Sequence, residues 1–182
     1  MDLWQLPKEA VFMGESYPHK TDYRQMLKLI ALLSDESRPA HLRWLTALCY
    51  FYERRIPVPP EAQAMTYLGQ FLSCGEEGTP GPKLLDWNTD APEIIADINA
   101  VAGREIRSEP YLHWWSFLSF FHGIREGRLS QLVAIRDKLR WGKRLEPYEQ
   151  EYYIRNKAKV RLRPAESPED TAHRQALEAL LN

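Results

Sequence analysis

The sequence predicts an all-α protein: a multi-helix bundle with a short extended or hairpin segment at its N-terminus and a Gly/Pro linker between two helical halves. Three observations carry that reading. Apolar residues recur at three- and four-residue spacing in successive windows, the period of a helix face. The windows are bounded by capping residues, prolines and glycines where helices start and stop. The connections are short, which favours antiparallel neighbours, and no solenoid-length repeat or sustained heptad run occurs.

Only the first twenty residues read differently. Val11-Phe12-Met13 and Ser16-Tyr17-Pro18 flank Gly14-Glu15, a turn-forming pair, so a hairpin is expected, laid on helices because two short strands make no core. Thr21 or Asp22 caps a helix to about Leu33, with Tyr23, Met26, Leu27, Ile30 and Leu33 on one face. A second helix is expected from near Ser37, with Pro39 in its first turn, burying Leu42, Leu45, Leu48, Cys49 and Tyr52. Ile56-Pro57-Val58-Pro59-Pro60 ends it, since proline lacks the amide and restricts the residue before it. Glu61 to Ser73 makes the third, with Met65, Leu68, Phe71 and Leu72 apolar.

Gly75-Glu76-Glu77-Gly78-Thr79-Pro80-Gly81-Pro82-Lys83 has no apolar anchor and is rich in helix breakers. The expected organisation is therefore one helical domain over 1–164, with halves 1–74 and 89–164 around a linker at 75–88, and a C-terminal helical tail at 165–182. In the second half, Asp90 is placed to cap a helix with Pro92 in its first turn, Ile94, Ile95, Ile98 and Val101 on its inner face, and Gly103 at its end. Pro110 opens a helix to about His122 whose Trp114, Trp115, Phe117, Leu118, Phe120 and Phe121 cover nearly the whole circumference, as in the central helix of a bundle. Leu129 to Leu139 follows, with Leu132, Val133 and Ile135 apolar; Gly142 stops it, and Pro147 begins a helix to about Lys159. Asp90, Ile94, Ile98, Trp114, Trp115, Phe117 and Phe121 are the expected fold signature and core. Pro164 closes the compact part, and Ala172, Ala176, Leu177, Leu180 and Leu181 give the tail an amphipathic pattern.

The 182 residues carry a formal net charge of -1, which gives no global reason to expect nucleic acid or an anionic membrane as partner. The N-terminus lacks a basic stretch followed by an apolar one, and no run of about eighteen apolar residues occurs, so cytoplasmic placement is expected. Cys49 and Cys74 lie in apolar helical contexts without metal spacing and read as buried thiols. His19, His41, His113, His122 and His173 never fall at i, i+4, and the Gly78–Lys83 stretch lacks the spacing and the Gly-Lys-Ser/Thr ending of a phosphate loop. His113 beside Trp114 is a candidate pH-sensitive contact, with a structural role the simpler reading. Glu76-Glu77 and the Glu149/Glu151 pair sit in polar surroundings that predict solvated carboxylates of ordinary pKa. No catalytic residue, metal or cofactor is expected.

One local asymmetry stands out. From Arg125 to Arg163 there are twelve Lys/Arg against five Asp/Glu. Within it, Arg136, Lys138, Arg140, Trp141, Lys143 and Arg144 form the candidate partner-binding patch: phosphate-neutralising cations with an interleaved aromatic. Glu146, Glu149 and Glu151 follow closely, so a charge network within or between subunits competes with nucleic acid, which is the less expected partner.

Taken together, Leu6-Pro7, Tyr17-Pro18 and Thr21-Asp22-Tyr23-Arg24, then Phe71-Leu72-Ser73-Cys74-Gly75, Leu85-Asp86-Trp87, Asp90-Ala91, Ile94-Ile95, Tyr111-Leu112-His113-Trp114-Trp115, Phe117, Ile135-Arg136 and Gly142-Lys143 resemble the phage gene-product-fifteen family over about Leu3 to Leu162. The linker, Gly/Pro/Glu here rather than lysine-rich, and the tail from Pro164 depart from that pattern. The resemblance implies a helical, non-enzymatic protein encoded near the tape-measure gene of long-tailed phages and prophages. It implies a tail assembly chaperone in the host bacterial cytoplasm, with the tape-measure protein and tail-tube subunits as partners, self-association possible and no membrane. The alternative is a nucleic-acid-associated phage or regulatory helical protein, suggested by the local basic excess.

Overall fold

The computed structural model describes residue 2 and residues 4–53, 60–76 and 81–162. The proline-rich stop at 56–59, the centre of the linker and the tail helix lie outside the described residues. The described part is mostly helical: eight α-helices, a 3-10 turn and one two-stranded hairpin, so the fold is not purely α. It divides into two compact units, Met1–Gly78 with His113–Trp115, and Thr79–Leu112 with Ser116–Arg163.

In the first unit, β1 (Glu9–Phe12) and β2 (Glu15–Pro18) pair antiparallel, with Glu9 opposite Pro18 and Phe12 opposite Glu15. The loop is Met13-Gly14, at φ 52° and 82°. Left-handed backbone at both positions gives the twist a two-residue hairpin needs, so the turn sits one residue earlier than Gly14-Glu15 suggested. Ala10, Phe12 and Tyr17 face inward, whereas Val11 and Met13 are exposed.

Helix α1 (Tyr23–Leu33) starts at Asp22, whose carboxylate accepts the Arg24 amide at 2.9 Å. It buries Tyr23, Met26 and Leu29, with Leu27, Ile30 and Leu33 half-buried. Helix α2 (Ala40–Phe51) begins after Pro39 rather than near Ser37 and buries Ala47, Leu48 and Phe51, with Tyr52 just beyond. The expected face was wrong in part, since Leu42 and Leu45 are 44% and 50% exposed and Cys49 is exposed, not a buried thiol. The aromatics set the rotation. Phe51 stacks on His19 at 4.4 Å, so the positions three and four residues back, Leu48 and Ala47, go inward and Leu42, Leu45 and Cys49 are carried round to solvent.

Helix α3 (Glu61–Leu72) buries Ala64, Leu68 and Phe71. Its last turn closes with Gly75 N–H on the Gln70 carbonyl (2.7 Å) and Cys74 N–H on that of Phe71 (3.3 Å), with Cys74 at φ 54°. Two indoles complete it: Trp114 Nε1 donates to the Leu72 carbonyl at 3.1 Å and Trp115 Nε1 to that of Phe71 at 2.9 Å. Residues 111–113 are not helical as expected from Pro110. They run extended because His113 forms an antiparallel bridge with Asp22 and Trp114 N–H donates to the Thr21 carbonyl at 2.7 Å, and helix α5 (Trp114–His122) starts only there.

Two buried histidines belong to this unit. His113 Nε2 lies 3.0 Å from the Pro7 carbonyl while its Nδ1 accepts the Trp115 amide at 3.1 Å, a pairing only the neutral ring can make. Burial pushes its pKa down. His19 places Nδ1 on the Lys20 carbonyl (3.0 Å) and Nε2 on the Tyr67 hydroxyl (3.1 Å), and burial lowers its pKa from 6.5 to about 4.

In the second unit, α4 (Ala91–Ala102) ends at Gly103, left-handed at φ 67°. It buries Ile94 and Ile98; Ile95 is half-buried and Val101 exposed. A 3-10 turn (Ile106–Ser108) follows, held by the Asn99 side chain accepting the Ile106 amide at 2.9 Å. In α5, Phe117 and Leu118 are buried and Phe121 is only half-buried, packed on Trp87 at 5.0 Å. Helix α6 (Arg128–Arg140) buries Leu129, Leu132, Ile135 and Arg136. The helix expected to Lys159 breaks at Asn156, φ -123°, into α7 (Pro147–Arg155) and α8 (Lys157–Val160). Leu132, Ile135, Leu145 and Val160 form one apolar cluster.

Arg136, next to Ile135 on α6, is buried as well. Its Nη1 donates to Asp90 Oδ2 (2.6 Å) and the Leu84 carbonyl (2.9 Å), and its Nη2 to Asp90 Oδ1 (2.7 Å) and the Lys159 carbonyl (2.7 Å). Nε donates to the Val160 carbonyl at 3.1 Å. Asp90 is fully buried and also accepts the Asp86 amide at 2.9 Å. Two sequence expectations are corrected here: Asp90 makes no side-chain cap to α4, and Arg136 is core rather than an available cation. Asp90 has φ -95° and ψ 5° rather than the extended backbone of a capping residue, and its carboxylate is engaged by the guanidinium and the Asp86 amide instead.

Asp97 of α4 instead caps α6, accepting the amides of Leu129 (2.8 Å) and Arg128 (3.3 Å). A Cβ on Gly127 would collide with that carboxylate. Gly127→Ala is therefore expected to cost about 1–3 kcal/mol through the lost cap. Urea unfolding measures it, and Gly69→Ala, where the added Cβ meets no neighbouring atom and the backbone is helical, is expected to show no loss.

The His19 shift has a sign. The unfolded ring takes up a proton as pH falls below about 6.5 while the folded ring resists until about 4, so stability present at pH 7 is lost across that window. The loss amounts to about 3 kcal/mol at about 1.4 per unit. Urea midpoints measured from pH 7 to pH 4 are expected to fall more steeply for the wild-type protein than for His19→Gln.

Candidate interaction surface

The surface is built at the corner between α6 and α7. Helix α6 ends with Gly142 at φ 62°, its amide on the Leu139 carbonyl (3.1 Å) and the Lys143 amide on that of Lys138 (2.8 Å). These backbone bonds satisfy the last carbonyls without any cationic side chain. Residues 143–146 then run extended, and Leu145 drops into the cluster formed with Leu132, Ile135 and Val160. Pro147 opens α7, and Glu149 reaches back to accept the Glu146 amide at 2.8 Å.

Glu149 is 4% exposed and both its oxygens lie 2.7 Å from Lys138 Nζ. The Lys138 hydrogen bond is the main cause holding the Glu149 carboxyl below the usual carboxylate range, and the reciprocal bond raises Lys138. The expectation of a solvated Glu149 with an ordinary pKa is thus corrected; Glu151, by contrast, is exposed and pairs with Arg155 at 2.5 Å.

Of the six residues expected to form the patch, the structure leaves four at the surface. Arg136 is inside, bound to Asp90, and Lys138 is half-buried on Glu149. Arg140, Trp141, Lys143 and Arg144 are exposed, Trp141 to 63%, with the Arg140 guanidinium 5.0 Å from the Trp141 ring centre. Beside them lies an open groove of about 720 Å³ lined by Leu139, Lys143, Arg144, Leu145, Glu146, Pro147 and Gln150. The basic row foreshadowed the rim but not this apolar floor. Its signal was Leu145, a lone apolar residue between the Gly142 stop and the Pro147 start.

The expected core residues fall in both units. Trp114 and Trp115 belong to the first, and Asp90, Ile94, Ile98, Phe117 and Phe121 to the second. A second, shallower groove of about 360 Å³ in the first unit is lined by Phe12, Ala62, Gln63, Thr66, Tyr67 and Gln70 and carries no charge. Among the described residues there is no cluster of three or more His, Cys, Asp or Glu arranged to hold a metal, and no helix is long and apolar enough to cross a membrane. What the corner offers chemically is contact: exposed cations, an exposed indole and a partly apolar groove.

No protein-family model, no curated protein and no solved structure matches the chain.

Proposed function

We propose that the chain is a non-enzymatic tail assembly protein of a phage or prophage, a chaperone that binds the tape-measure protein in the bacterial cytoplasm and helps recruit tail-tube subunits. The observation that carries this reading is the ordered series of words from Leu6-Pro7 to Gly142-Lys143 that resembles the gene-product-fifteen family. The structure supports it by giving those words physical roles: His113-Trp114-Trp115 closes the last turn of α3, and Gly142-Lys143 closes that of α6. A chaperone of a long apolar chain also needs exposed apolar surface, which α2 presents through Leu42 and Leu45 and the α6–α7 corner through Trp141 and Tyr148.

The exposed Arg140, Trp141, Lys143 and Arg144 favour a second reading, nucleic-acid association. It is the weaker one. Burial of Arg136 and engagement of Lys138 shorten the basic track to a single corner, whereas phosphate binding gains with every cation that follows the backbone.

Co-expression with the cognate tape-measure protein distinguishes them. The expected outcome is a several-fold gain in soluble tape measure that co-purifies with this chain, and no salt-dependent retention of single-stranded or duplex DNA. A tape measure equally insoluble with and without the chain contradicts the chaperone reading, and DNA retention lost between low and high salt revives the other.

A further inference from the structure

We infer that the groove at the α6–α7 corner is a docking site for an acidic amphipathic helix of a separate polypeptide, an inference that rests on the partner-binding reading above and gives it a place and a chemistry. Three observations on the same corner converge on it.

The first is charge left over. Cations at a helix C-terminus are usually explained by the carbonyls they face. Here the carbonyls of Lys138 and Leu139 are met by the backbone amides of Lys143 and Gly142. Among the described residues Arg140, Lys143 and Arg144 form no ion pair, although Lys138, Arg155 and Lys159 all find carboxylates close by. Three positive side chains therefore share one rim without a counterion among the described residues.

The second is the floor. Leu145 is anchored in the apolar cluster and Pro147 is rigid, so with Leu139 they give the groove a preformed apolar strip among the polar side chains that line the rest of it. A phosphate backbone gains nothing from such an apolar strip. An apolar helix ridge flanked by carboxylates matches both parts. The third is Trp141, 63% exposed and held beside Arg140, a pairing of the two residue types that dominate binding energy at protein interfaces.

The test uses the full chain and two synthetic eighteen-residue amphipathic helices of about equal helicity. Both carry Leu at i, i+3, i+4 and i+7, one with Glu and the other with Lys on the flanks. Calorimetry is expected to show binding of the Glu-flanked peptide only, weakened by salt. The R140E/K143E/R144E variant is expected to lose at least about tenfold in affinity, and Trp141→Ala a similar factor, with thermal melts unchanged. Equal binding of the two peptides, unchanged affinity in the triple variant, or displacement of the peptide by a single-stranded oligonucleotide overturns the inference. So does concentration-dependent self-association abolished by the triple variant, which would assign the groove to a second copy.

Capture of the tape measure separates the two levels. If wild-type and triple-variant chains capture it equally, the groove inference fails and the chaperone reading stands. If the peptide binds as expected but the tape measure is not captured, the chaperone reading fails and the groove stands.

Discussion

A buried guanidinium is tolerable only when each of its five N–H groups has an acceptor and its charge has a counterion, because desolvation otherwise costs several kcal/mol. Arg136 meets both conditions, with three main-chain carbonyls and a two-pronged bond to Asp90. Those acceptors come from the segment before α4, from the start of α4 and from the end of α8. One side chain on α6 thereby fixes three segments that are remote in sequence. The break at Asn156 lies just before the two α8 carbonyls it uses. The neighbouring pairs, Lys159 with Glu93 and Lys138 with Glu149, add further charge pairing to the same unit.

The first unit is held by a related device. At the end of its third helix the Trp114 indole supplies the Leu72 carbonyl with a donor and the Trp115 indole adds one to the Phe71 carbonyl, which already accepts a backbone amide, while both rings are buried. His113 fixes that short segment by joining the Pro7 carbonyl to the Trp115 amide, and His19 stands between Phe51 and Phe71 in ring contact with both. Both units thus use polar side chains inside aromatic or aliphatic packing, and Arg136, Trp114, Trp115, His113 and His19 are each tied to main-chain atoms. The exposed corner at Arg140–Arg144 takes part in none of these devices.

Much of this architecture was legible in the sequence. Asp22, Gly103, Gly142 and Pro147 mark helix ends as their chemistry demands, and the apolar spacing places every long helix to within a few residues. The errors share one cause. A local pattern reports which faces are apolar but not which polar residue finds a partner dozens of residues away. Arg136 occupies a core position, seven residues after Leu129 and four after Leu132, yet its charge made it look solvent-facing, and Asp90 looked like a cap because its partner lay 46 residues on. Leu42, Leu45 and Cys49 were misplaced because the large aromatics at the far end of α2 decide its rotation. For the candidate surface, the exposed cations could be read from charge, while the apolar floor required knowing that Leu145 dips into the core.

The most direct test of the central claim is a double-mutant cycle on Asp90 and Arg136, with Asp90→Asn, Arg136→Met and the double variant unfolded in urea. Each single change is expected to cost about 3–5 kcal/mol, because it strands a buried partner. The double variant is expected to cost at least about 2 kcal/mol less than their sum. Single losses under about 1 kcal/mol that simply add would contradict the account, since the guanidinium fork would then be incidental to the second unit.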